Sequence, residues 1–300
     1  AKKALSQALD WAKEKNVEQL PGIAPLHIGL GDILREQNQI IDAESHLRKG
    51  LKLAELGYQT ILGQGYLSLA HLKYIQQDFT AAQEAFHMAE TATQDWNTPE
   101  ILALLSAHHI HLWLEPKQGD AKAAYQWANE MNRDSLSDEI SVDTDLSHII
   151  HQLSIIRVYL HQLKHKKGSF QQSIEQITNL QAILKSNQLW GYLIESQVLE
   201  SLVYQANNQT NEALEVLERA LQSGQDRGYF RIFLDEGASI KSLLYEAVQR
   251  GIYPEYASRL LASMDQTPFE AQPDENEKTQ ALIQPLSKRE KEVLHHIAIG

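Results

Sequence analysis

Leu30-Gly31, Ala43, Leu47 and Gly50 recur as Leu69-Ala70, Ala82, Phe86 and Ala89, each pair offset by the same 39 residues. A fixed offset of this size means that one supersecondary unit is used more than once. The residues also indicate the geometry of the unit. Small side chains return where two helices would cross closely, and large apolar ones return beside them. Apolar positions fall at helical spacing, while alternation at period two is scarce. Proline is absent from 26–98 and from 117–253, so long stretches carry no helix breaker. Such a chain is constrained to helix pairs stacked one on the next.

Further copies are weaker. Tyr204, Ala213, Leu217 and Ala220 repeat the second half of the pattern, Gly168, Ser173, Ile177 and Leu180 do so less closely, and Gly119-Asp120, Ala124 and Ala128 form a copy of uncertain register. The logic is that of a tetratricopeptide helical hairpin whose period of ~34 residues has been stretched. The expected fold is all-α: a tetratricopeptide-like right-handed superhelix of antiparallel helical hairpins. The hairpins fall roughly at 24–57, 63–96, 100–131, 148–186 and 192–225, and 1–20 reads as the second helix of a further one. After Asp226-Arg227-Gly228, a helix stop with glycine at the left-handed position, a cap is expected over 226–264. This closes a sensor-like unit spanning 1–264.

Residues 265–285 have the composition of a linker, with three of the eight prolines and five acids against one lysine. At 286–300 a new helix opens on the capping box Ser287…Glu290. Its apolar stripe of Val293, Leu294 and Ile297 is followed by nothing to pack on. The expectation is therefore a piece of a longer protein, cut after the first helix of a second domain. The formal charge of -12 repels phosphate backbones, so this stretch alone is not expected to bind DNA. No apolar run approaches the ~18 residues of a membrane span. Cysteine is absent, which excludes disulfides and thiolate metal sites and suits a cytoplasmic location.

Leu286-Ser287, Arg289-Glu290 and Glu292-Val293-Leu294 resemble the opening of a LuxR-type helix-turn-helix domain. The stretches 27–57, 119–128 and 228–252, with Tyr256 to Leu261, resemble the repeat region of the large LuxR-type regulators, signal-transducing ATPases typified by the bacterial maltose-regulon activator. That resemblance implies a sensor superhelix that binds an inducer and supports self-association, with DNA bound only through a C-terminal domain beyond residue 300. It also implies an ATPase upstream, hence ATP as cofactor of a full-length protein. No cofactor is expected within 1–300, and no Walker-type glycine-lysine loop occurs there.

Individual motifs point the same way. Gly29-Leu30-Gly31 lacks the third glycine and preceding strand of a phosphate loop, and it occupies the small-residue slot of the repeat. Six of the thirteen histidines fall in three pairs, His108/His111, His148/His151 and His161/His165, each with one helix face in common. Such pairs suit zinc, but they lie in different hairpins and no H-E-x-x-H is present, so no metal site is expected. Arg231 and Asp235 have the spacing of a local ion pair in an apolar segment. No nucleophile–base set is legible, and no enzyme activity is expected.

The concave groove is the expected site. In a tetratricopeptide stack the first helix of each hairpin faces inward. Counting from the repeat register puts Asp32, Arg35, Glu36, His71, Tyr74, His109, Trp113 and Gln162 there. Trp96, Trp127 and Trp190 read as packing residues. Aromatic rings mixed with hydrogen-bonding groups suit a small-molecule inducer, a sugar among the candidates, or a peptide or protein. The function implied is inducer sensing and oligomerisation for a bacterial transcriptional regulator. The rival is a pure protein–protein interaction module that binds a peptide or another regulator.

Overall fold

The computed structural model describes residues 1–94, 98–114, 119–135 and 145–265. The terminal helix expected at 286–300, all of the linker after Asp265, and Trp96 lie outside the described residues. Among those described there is no strand. There are fourteen α-helices, packed as neighbouring pairs into an all-α, tetratricopeptide-like superhelix. A leading helix, α1 (Lys2–Glu14), packs on the pair α2 (Ala24–Glu36) and α3 (Ile40–Glu55). The next pairs are α4 (Leu62–Ile75) with α5 (Phe79–Thr93), and α6 (Pro99–Trp113) with α7 (Ala121–Ser135). Then come α8 (Leu146–Lys164) with α9 (Phe170–Ser186), and α10 (Trp190–Ala206) with α11 (Thr210–Arg227). The cap is the single turn α12 (Arg231–Leu234) followed by α13 (Ala238–Gln249) and α14 (Pro254–Asp265).

Local chemistry sets the helix ends. Asp78, Thr98, Asp145 and Ser169 each cap a helix by accepting a backbone N–H of its first turn. A common device ends many of the helices. Asn16, Asn38, Gln77, Lys166, Gln188 and Asn208 are all left-handed, with φ between 55° and 61°. The next N–H reaches back six residues inclusive, as in Gln39 N to Leu34 O at 2.8 Å and Asp78 N to Lys73 O at 3.0 Å. This is the Schellman closure, here without glycine. Asn38 and Gln77 are again 39 apart, so the turn repeats with the small-residue pattern.

Packing explains that pattern. A methyl group added at Gly31 would come within 2.7 Å of Leu47 Cγ, and one added at Gly50 within 2.7 Å of Ile28 Cγ1 and 3.0 Å of Ile28 N. The helices α2 and α3 cross that closely only because both positions lack Cβ. Ala43 is fully buried on the same crossing, and Ala82 is its buried equivalent in the next pair. Ala43→Leu and Ala82→Leu are each expected to cost about 1–3 kcal/mol through overpacking. Leucine at the exposed neighbour Asp42 should cost less than about 0.5 kcal/mol. Urea midpoints of the three variants check this, and equal midpoints would contradict the packing scheme.

The cap then returns to the first pair. Phe230 N donates to Glu36 O at 3.1 Å, and Ile232 N donates to Glu36 Oε1 at 3.0 Å. Arg231 Nη1 donates to Asn38 Oδ1 at 3.3 Å, across 193 residues of chain. The helical stack therefore closes on itself, which no single repeat announces.

Candidate ligand site

The closure borders a half-open cavity of about 590 Å³, within the range of small-molecule sites. Its wall comes from the first helix of each pair. Arg35 and Glu36 stand on α2, His71 and Tyr74 on α4, and Leu104, His108 and His111 on α6. Farther round, α8 contributes Ser154 and Arg157, and α10 contributes Tyr192 and Glu195. The cap closes the circle with Arg231, Ile232 and Asp235. Among the described residues, the second helices of the pairs contribute only Phe79, the first residue of α5.

Charge within the wall is balanced. Arg157 is 15% exposed and donates to Glu195 at 2.8 Å and also to Glu236. Burial opposes its charge, but Glu236 and Glu195 together outweigh that and hold the guanidinium above its usual range. Arg231 pairs with Asp235 within the turn, as the spacing suggested. Arg35 donates to Asp32 at 3.5 Å. Burial works against its charge too, and Asp32, Glu36 and Asp235 restore it. Glu36 is pushed up to about 7, chiefly by burial and against the pull of Arg35 and the Ile232 N–H.

The histidines of the wall are neutral near pH 7. Burial pulls His71 well below its usual value, with His108 and Arg35 adding to the effect. Burial, aided by His109, lowers His108 to about 4. His111 is displaced downward by burial, Arg157 and His108. The His111 side chain is exposed toward the cavity. Neutral imidazoles each offer one donor and one acceptor. His71 and His108 lie 5.0 Å apart by ring centroid, and Phe86 stacks on His108 at 4.3 Å. At the rim Tyr74 meets Phe79 edge-on at 5.5 Å, and Phe79 is 59% exposed. The site thus offers paired charges, neutral donor–acceptor rings and open aromatic faces. It can hold a molecule rich in hydrogen-bonding groups that also has an apolar face. Among the described residues, no three histidines or acids converge as a metal cluster.

Of the positions counted inward from sequence, Arg35, Glu36, His71 and Tyr74 line this cavity and the others do not. Asp32 stands behind Arg35 as its partner. His109 turns toward α5, 3.6 Å from Glu90, and stacks on Trp113 at 5.5 Å. Trp113 packs against the α7–α8 cluster instead. Gln162 sits at the end of α8, where its carbonyl closes the turn to Lys167. On α6 the count was one residue out, and one residue is a rotation of about 100°. The correct face carries His108 and His111. That pair had been noticed for its spacing, which was the available signal. Arg157, Tyr192 and Glu195 stand on the first helices α8 and α10 outside the counted positions, and the spacing of Arg231 and Asp235 signalled an ion pair without placing it in the wall.

Histidine burial has a pH consequence. A base with a folded pKa below its unfolded value of about 6.5 gives stability that is present above 6.5 and lost as pH falls through the folded pKa. For His108 that window runs from 6.5 down to about 4, and His27, at about 4 beside His46, shares it. Glu36 acts oppositely: its contribution is full at low pH and lost as pH rises through about 7. The stability difference between wild type and His108→Gln should therefore move by on the order of 2 kcal/mol from pH 7 to pH 5, the wild type losing more. Urea unfolding at both pH values measures it, and a constant difference would contradict the buried neutral ring.

A family model described as the MalT-like TPR region matches residues 1–250. A comparison with curated proteins gives no match.

Proposed function

The chain belongs to the MalT-like TPR region family, and on that premise we propose that it is the inducer-sensing module of a transcriptional regulator, with the ligand held in this cavity. The observation that carries this reading is the cavity itself, of about 590 Å³, walled by one helix from every pair and by both ends of the stack. A ligand there touches all the pairs at once, so its affinity for the closed stack can bias a resting form against an oligomerising one. The balanced charges and neutral imidazoles favour an uncharged, hydrogen-bonding ligand such as a sugar. In this reading a LuxR-type domain after residue 300 binds DNA, an upstream ATPase supplies nucleotide dependence, and the whole protein works in the cytoplasm and self-associates. Among the described residues, no helix is long and apolar enough to cross a membrane.

A thermal-shift screen with oligosaccharides, amino acids, aromatic metabolites and short peptides tests this. At least one small molecule should raise the melting temperature in a concentration-dependent way. Tyr74→Ala combined with His111→Ala should weaken that compound by tenfold or more and leave helicity unchanged. A response to peptides alone would favour the protein-interaction reading. Unaltered affinity in the double variant would sink the site assignment.

A further inference from the structure

The contact that closes the stack is unlike the contacts within it. Phe233 and Leu234 belong to an apolar cluster that also takes in α8 to α11, α13 and α14, and no member of that cluster precedes Ile149. On its other side the same turn meets α2 through polar atoms. Glu36 Oε1 accepts from Phe230 N at 3.3 Å and Ile232 N at 3.0 Å, and Asn38 accepts from Arg231. The segment is therefore anchored to the cap by apolar burial and to the first pair by hydrogen bonds to the Glu36 carboxylate, the Glu36 backbone carbonyl and Asn38. It is flanked by Gly228 at φ 73° and Gly237 at φ 58°, backbone that glycine adopts without strain. Arg35 and Glu36 on one side of this seam, and Arg231, Ile232 and Asp235 on the other, all face the cavity.

We propose that the seam between Glu36 and the Phe230–Leu234 turn is a latch, which opens without unfolding of the helical pairs and whose closure completes the ligand cavity. Opening exposes two backbone donors and a carboxylate to water, which can satisfy all three, and leaves the apolar clusters on both sides intact. A molecule that bridges the two walls binds only the closed form, and so shifts the latch by its full differential affinity. That regulatory meaning rests on the cavity being the ligand site. The opening itself does not.

Amide hydrogen exchange on residues 1–300 tests the latch with no ligand present. In the wild type, exchange at 230–237 should depend weakly on low urea concentrations, whereas α10 should follow global unfolding. Glu36→Ala should speed exchange at 230–237 by roughly tenfold or more, the effect of orphaning the Ile232 N–H while Phe230 N keeps the Glu36 carbonyl, and leave α10 and α11 unchanged. Glu36→Gln, which keeps an acceptor, should stay within a few-fold of wild type. Diethyl pyrocarbonate labelling should rise at His71 in Glu36→Ala but not at the outward-facing His87. Exchange at 230–237 that tracks global unfolding in the wild type would overturn the proposal, as would unchanged labelling in a folded Glu36→Ala. Any compound that raises the melting temperature in the screen should also slow exchange at 230–237. A compound that raises it without slowing exchange there would remove the coupling and leave the binding reading standing.

Discussion

Arg157→Met is expected to lower the unfolding free energy by about 3–5 kcal/mol. Arg157 sits on α8 and answers two carboxylates, Glu195 on α10 and Glu236 in the cap. All three side chains are largely enclosed, so methionine leaves two negative charges close together with no cation between them. Removing one member of a buried ionic set costs far more than the set contributes as a whole, because the desolvated partners remain. Adding Glu195→Gln and Glu236→Gln to Arg157→Met should therefore recover most of the loss, since two neutral amides demand less of the site. Urea denaturation of the single and triple variants measures both effects. A single variant within about 1 kcal/mol of wild type, or a triple variant no better than the single, would show that water already screens the triad.

Phe233→Ala should cost about 3–5 kcal/mol. The ring is fully buried, lies edge-on to Tyr256 at 5.9 Å, and fills the space that a side chain at Gly224 would need. Truncation removes that contact and leaves a void between rigid helices, which can relax only in part. The loss should appear chiefly as disorder around 228–237, with α2 to α5 keeping their thermal stability. Near-ultraviolet circular dichroism and denaturation give the measurement. A cost below about 1 kcal/mol would mean that the cap is held by its polar bonds instead.

The two effects bear on what could be read from residues alone. The all-α stack was legible because helix pairs are local. The 39-residue offset, the small residues at crossings and the long proline-free stretches are all properties of near neighbours in the chain. Gly31, Ala43 and Gly50 mark the crossing whether or not its partner is known. Parts of the site were legible for the same reason, since Arg35, His71 and Tyr74 follow from the inward face of α2 and α4. The face of α6 was not, because its pair is the copy with the weakest register, and one step turned His109 inward in place of His108. The rest of the wall depends on closure. Glu36 meets Phe230 across 194 residues, and nothing in either segment identifies the other. The pairing of Arg157 with Glu236 has the same origin, with 79 residues between them.

Hydrogen-exchange mapping of a compound that raises the melting temperature addresses the central claim most directly. Protection is expected on the inner faces of the first helices and the cap together, around Arg35, His71, His111, Arg157, Glu195 and Arg231. Protection confined to the outward faces of the second helices, around the exposed Lys49, Lys52, Glu84 and Glu218, would contradict it.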